Sequence, residues 1–236
     1  MLRIAVARTP VRPESGGDLP PGWMGEGERQ RWTSLGAAAR PEFVASRGLL
    51  RELLHQATGM PVDAWDVSAR AGTAPVARSL RGDAVGGAPR ASLSHRLGWV
   101  AAAVADAAVG IDVECDRPSR SDPDERAALM LAAAELRDWH ALTQDHREAA
   151  LLTRWTAKEA WFKASPPGDA PWDFRRVVAR ACEPAQANVR VWESAALHVA
   201  VCCVDAAALA AVDCAGLDAT AATSSFWHVA HADPKA

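Results

Sequence analysis

The sequence predicts an α+β fold built as two similar halves, and three observations carry that expectation. Helical periodicity followed by strand alternation occurs twice along the 236 residues. A segment with two prolines and alternating charges, Asp116 to Pro123, separates the two occurrences. The hydrophobic content of 49% is enough to give each half a core of its own. The expected division is an N-terminal half, 1–117, and a C-terminal half, 118–236, each a small antiparallel sheet packed with helices.

In chain order, Leu2 to Ala7 alternates as a first strand, and the Pro/Gly-rich stretch from Thr9 to Trp23 reads as a loop. Gly25 to Leu35 and Pro41 to Gln56 read as helices; in the second, Phe43, Leu49, Leu50, Leu53 and Leu54 recur at helical intervals. Gly72 to Pro75 and Gly82 to Pro89 punctuate the chain. Three strands follow, Arg90 to His95, Trp99 to Asp106 and Val109 to Glu114, with short turns that suit antiparallel pairing. Past the linker the pattern is helical through Leu136 and again from Asp145 to Ala164. Strands return at Phe174 to Arg180, Asn188 to Trp192, Leu197 to Val204 and Phe226 to Ala230. The Ala-rich stretch from Asp205 to Ser225 fits a helix, a loop or both.

Composition narrows the function. A formal net charge of -3 lacks the excess of Lys and Arg that a nucleic-acid backbone requires, so any anion site is local. Five cysteines, Cys115, Cys182, Cys202, Cys203 and Cys214, show no paired zinc spacing and fit a reducing compartment. The start, MLRIAVARTP, breaks any secretory apolar stretch with an arginine and a proline, and no later run is long enough to span a bilayer. The expectation is a cytoplasmic, soluble protein with no membrane partner.

Two segments carry chemistry. In VGIDVE the strand period places Gly110, Asp112 and Glu114 on one face, the acids about 7 Å apart and beside a glycine that leaves room for an approaching group. An ordinary strand with its polar face in water explains this equally well. In LLTRWTAKEAWFK, the residues Leu151, Leu152, Trp155 and Phe162 share an apolar arc, and Glu159 falls inside it. A buried acid must be neutral, paired or metal-bound, and Lys163 at i+4 offers a simple ion pair. Three oxygen ligands from two elements, with no His/Cys cluster, suit magnesium rather than zinc or iron.

SLSHR at Ser92 to Arg96, VGIDVE at Val109 to Glu114 and RWTAKEAWFK at Arg154 to Lys163 resemble, in order, the signatures of the 4'-phosphopantetheinyl transferase family. FVASRGLLRELL from Phe43 and the late HVAVCC are similar to further parts of it. The length resembles the long, monomeric type that activates peptide and polyketide synthases, with two halves related by pseudo-twofold symmetry. The resemblance implies holo-[acyl-carrier-protein] synthase activity: transfer of the phosphopantetheine arm of coenzyme A to a serine of an apo acyl or peptidyl carrier protein, with magnesium, releasing 3',5'-ADP. It further implies that Asp112, Glu114 and Glu159 hold the metal and that Lys163, with Lys158 beside it, contacts the pyrophosphate. Ser94 and His95 would touch the nucleotide and its phosphates, and Arg47, with Arg40, the 3'-phosphate. Gly87-Ala88-Pro89 departs from the family's Gly-Lys-Pro, and Ser165-Pro166-Pro167-Gly168 from its glycine-rich loop.

For the reaction itself, Glu159, directly or through a metal-bound water, is the candidate for removing the serine proton, and Lys163 for offsetting phosphate charge. Arg117, Arg120 and Arg126 could form a docking edge for an acidic carrier. Two other readings use the same residues: a magnesium-dependent nucleotide-diphosphate hydrolase, and a non-catalytic carrier-binding homologue.

Overall fold

Why the chain forms these elements is plainest at its tightest turn. Leu97 and Gly98, with φ of 48° and 80°, connect two strands in the two-residue hairpin that positive φ at both central positions allows. The computed structural model describes residues 1–9, 19–68, 73–81, 89–115, 122–166, 172–195, 197–218 and 220–232. Its first part comprises β1 (Leu2–Arg8), α1 (Glu26–Ser34), α2 (Arg40–Thr58), β2 (Trp65–Val67), β3 (Ala77–Ser79), β4 (Arg90–Arg96), β5 (Trp99–Ala105) and β6 (Val109–Cys115). Then come α3 (Pro123–Met130), α4 (Ala133–His140), α5 (Gln144–Ala164), β7 (Val177–Ala181), β8 (Val189–Ser194), β9 (Leu197–Cys203), α6 (Ala206–Ala211), β10 (Cys214–Ala215) and β11 (Thr223–His231).

The fold is α+β with small, mainly antiparallel sheets, as the alternating patterns require. One sheet has the order β10-β1-β5-β4 and the other β6-β9-β8-β11-β7, while β2 and β3 pair by themselves. Ile4, Val6, Ala101 and Ala103 of the first sheet share a core with Ile111, Val113, Val199 and Val201 of the second. The far face of the first sheet buries Leu50, Leu53 and Leu54 of α2 against Ala102 and Val104. Ala157 and Ala160 of α5 cover the second, against Val189, Val191 and Ala200. The layers therefore run helix, sheet, sheet, helix, and β4 comes against β6 where the sheets meet.

Strands cross the expected boundary at 117/118, a point that lies outside the described residues. The earlier β6 pairs with β9, and the later β10 runs parallel to β1. Between α2 and β4 the hairpin β2-β3 appears where the sequence shows only punctuation, and the helical stretch after the linker divides into α3 and α4. Within the Ala-rich stretch stand α6 and β10. Cys202 and Cys203 are buried free thiols, and burial pushes the Cys202 thiol up to about 12, in keeping with small buried hydrophobes. Among the described residues no helix is long and apolar enough to cross a membrane.

Candidate active site

The period of two along β6 sends Ile111 and Val113 into the shared core and turns Gly110, Asp112 and Glu114 toward α5. What enters the room left by Gly110 is the helix itself. A Cβ there would lie 2.0 Å from the Ala160 carbonyl oxygen and 2.6 Å from the Ala164 nitrogen. At this approach Lys163 Nζ stands 2.6 Å from Asp112 Oδ1 and 3.4 Å from Glu159 Oε2. Ser94, from β4, donates its hydroxyl to Asp112 Oδ1 at 2.8 Å and accepts from Lys163 at 3.2 Å.

The apolar arc read from the wheel of α5 needs correction. Leu152 and Trp155 are only half-buried, and the residues packed on the sheet are the small Ala157 and Ala160. Close approach to a strand favours small side chains over large ones. Glu159 consequently sits at the margin of the buried face, its side chain 19% exposed, looking across at Asp112 and Lys163.

Charge is crowded here. Burial, then the Asp112 charge, pushes the Glu159 carboxyl up to about 7; Lys163 opposes this and Glu114 adds to it. Burial and Asp112 also raise Glu114, against Arg96 and the Trp155 hydrogen bond at 3.2 Å. Burial works to lower the Lys163 ammonium, yet Asp112 and Glu159 hold it above its ordinary value. The raised Glu159 has a consequence for stability. Between its ordinary value of 4.5 and about 7 the folded chain retains a proton that the unfolded chain releases, so stability falls as pH rises through that window. Glu159→Gln is expected to remove this fall and to raise the metal-free melting temperature above pH 7 by a few degrees. Identical melting curves for the two proteins from pH 5 to pH 8 would show that Glu159 is not under this strain.

The donor set fits a hard cation. Asp112 Oδ2 is buried with no hydrogen-bond partner, which leaves a lone pair aimed at nothing. Among the described residues no three His, Cys, Asp or Glu side chains form a cage able to hold a metal by themselves. Magnesium does not need one, because it completes its octahedron with water and substrate phosphate. Asp112, Glu114 and Glu159 are the residues that could serve it.

Residues 108–210, which contain β6, α5 and β9, match the family model of the 4'-phosphopantetheinyl transferase superfamily. Over that stretch the chain is similar to that superfamily. It is 29% identical over 156 residues to the 4'-phosphopantetheinyl transferase psf-1 of Bacillus pumilus, a stretch covering 66% of this chain and 61% of that relative. The aligned part of the chain thus spans about three fifths of the relative's length.

The other residues that the superfamily signatures single out are spread more widely. His95 points away from Asp112, pairing through Nδ1 with Glu42 Oε1 of α2 at 2.5 Å, and its side chain is 63% exposed. Arg47 is buried, donates to the Ser68 carbonyl at 2.8 Å, and lies over the Phe43 ring. Its Nε is buried without a partner, and burial lowers its pKa. Arg40 bonds the Leu35 carbonyl at 3.1 Å and stacks over Trp32. Of the three basic positions considered for a docking edge, Arg117 and Arg120 lie outside the described residues, and Arg126 is engaged by both oxygens of Glu148, at 2.8 and 2.5 Å.

Lys158 is bonded to groups of the protein itself. It is 0% exposed and donates to Glu135 Oε2 at 2.5 Å and to the carbonyls of Met130 and Phe174 at 3.0 Å each, which uses all three of its protons. Glu135 in turn accepts from the backbone N–H groups of Ala132 and Ala179, at 2.8 Å each. The pair ties α5 to the α3–α4 turn and to β7. Lys158→Met is expected to destabilise the chain by about 3–5 kcal/mol, because Glu135 stays buried without its cation. Urea unfolding would measure it, and a midpoint within experimental scatter of wild type would contradict the clamp.

Sequence reasoning missed three residues at or behind the site. Arg96 shares a strand side with Ser92 and Ser94, so the period of two contains the signal for it. Trp155 reads as plain core although its indole N–H reaches Glu114. Glu135, 23 residues before Lys158, carries no local signal at all.

Proposed function

We propose that this protein transfers the 4'-phosphopantetheine arm of coenzyme A to a serine hydroxyl of an apo acyl or peptidyl carrier protein, releasing 3',5'-ADP. The observation that carries the reading is the Asp112–Lys163–Glu159 cluster with its unpartnered Asp112 Oδ2, placed inside the stretch that matches the superfamily. The name of the Bacillus pumilus relative supports the same activity.

Asp112, Glu114 and Glu159 would hold magnesium, which when bound supplies positive charge against the pyrophosphate. Lys163, raised above its ordinary value and so fully protonated, sets a second positive charge beside the same place. Glu159, at the margin of the buried face with its side chain 19% exposed, is our candidate for taking the proton of the incoming serine hydroxyl. Ser94 holds Asp112 and Lys163 in register by bonding both. We assign the buried Arg47 of α2 to the coenzyme's 3'-phosphate and His95, which pairs with Glu42 of the same helix, to its nucleotide. We read the protein as a cytoplasmic monomer of two halves, 1–117 and 118–236.

Intact-mass analysis of apo-carriers incubated with the protein, coenzyme A and magnesium is the test. A gain of one phosphopantetheine per carrier is expected, and its loss on chelation of magnesium. Release of 3',5'-ADP from coenzyme A with no carrier present would point instead to the diphosphate hydrolase. Carrier binding with no mass gain would indicate a non-catalytic homologue.

A further inference from the structure

Serine, serine and arginine alternate along one side of β4, and each meets β6. Ser92 Oγ accepts from the Ile111 N–H at 3.0 Å, Ser94 bonds Asp112, and Arg96 Nε comes within 3.0 Å of Glu114 Oε2. The first two contacts join the sheets. The third differs in kind, because the Arg96 Nε is buried without a hydrogen bond directed at any acceptor, and among the described residues none of its N–H groups donates one. Attraction of charge holds it there, while its side chain remains 42% exposed. Glu114 does not depend on it for position, since Trp155 donates to the other carboxylate oxygen at 3.2 Å.

An exposed guanidinium with uncommitted donors, stationed beside Glu114 of the carboxylate cluster, is suited to an anion. Among the described residues the salt bridges of Asp112, Glu114 and Glu159 run to Lys163 and Arg96, two cations against three carboxylates. A diphosphate brought to it meets less repulsion with each cation at the rim, and a planar guanidinium can bond two phosphate oxygens at once. We propose that Arg96 is a further substrate-binding residue of this site, a cation stored against Glu114 that turns to the diphosphate of coenzyme A. This rests on the transfer reading above and adds a contact to it.

The test compares wild type, Arg96→Gln and Arg96→Lys as full chains, by calorimetric titration with coenzyme A and with dephospho-coenzyme A in the presence of magnesium. Loss of a charge-assisted bond predicts roughly tenfold weaker binding of both ligands to Arg96→Gln. Arg96→Lys should recover part of it. Unchanged affinity overturns the proposal, and so does a loss seen with coenzyme A alone, which would place Arg96 on the 3'-phosphate. A second readout needs no coenzyme: manganese binding, followed by electron paramagnetic resonance, should be equal or tighter in Arg96→Gln because a competing cation has gone. Weaker manganese binding would mean that Arg96 merely positions Glu114. If wild type binds no coenzyme A, the transfer reading itself fails, whereas wild-type binding matched by Arg96→Gln defeats only the role of Arg96.

Discussion

Gly110→Ala is expected to lose transfer by about a hundredfold or more and to destabilise the fold by roughly 1–3 kcal/mol. The added Cβ would lie 2.0 Å from the Ala160 carbonyl oxygen, and the obstacle is helix backbone rather than the end of a flexible side chain. Restoring ordinary contact, 3.4 Å or more, requires α5 to retreat from β6 by over an ångström. Glu159 and Lys163 ride on that helix while Asp112 stays on the strand, so the bond of 2.6 Å between Lys163 and Asp112 opens. Misplacement on this scale costs orders of magnitude in rate even when every reacting group is present. Urea unfolding and initial rates of carrier modification check the two effects separately. A variant with wild-type stability and rate would show that α5 can yield without disturbing the site.

Asp112→Ala is expected to reduce transfer by at least about 10²–10³-fold with the fold retained. Asp112 is the acid from which Lys163 and Ser94 take their positions, and its Oδ2 is the orphaned oxygen of the cluster. Removing it should leave the fold intact because Lys163 is still 3.4 Å from Glu159 and 21% exposed, so its ammonium keeps both a partner and water. Asp112→Asn sharpens the test, since the amide oxygen can still accept from Ser94 and Lys163 while the charge is gone. Near-normal transfer by the Asn variant would make Asp112 a positioning group and remove it from the proposed cation site. Near-normal transfer by both variants would defeat the site as a whole.

The helices and strands were legible because each is an amphipathic segment whose pattern repeats within its own length. The second helix expected at Pro41 to Gln56 is Arg40–Thr58, and the strand expected at Val109 to Glu114 is Val109–Cys115. Segments too short to show a period escaped: β2 and β3 have three residues each and pair only with one another, and β10 has two and depends on β1, a partner strand that is distant in sequence.

Asp112, Glu114, Glu159 and Lys163 could be picked out from sequence because strand and helix periods place each on a definite face of its own element. Which groups they meet could not, because contacts across elements depend on helix rotation and depth. At i+4 Lys163 could pair with Glu159, and it lies 3.4 Å from it, yet its shorter bond is to Asp112, 51 residues away. Lys158 and Lys163 look alike in a row of letters. They lie on different sides of α5, so one is sealed against Glu135 and the other opens onto the site. The sequence by itself determined the faces on which the charged groups stand. Only the tertiary structure decided how near those faces come, because a glycine admits a helix backbone to a strand and no local pattern records how far it advances.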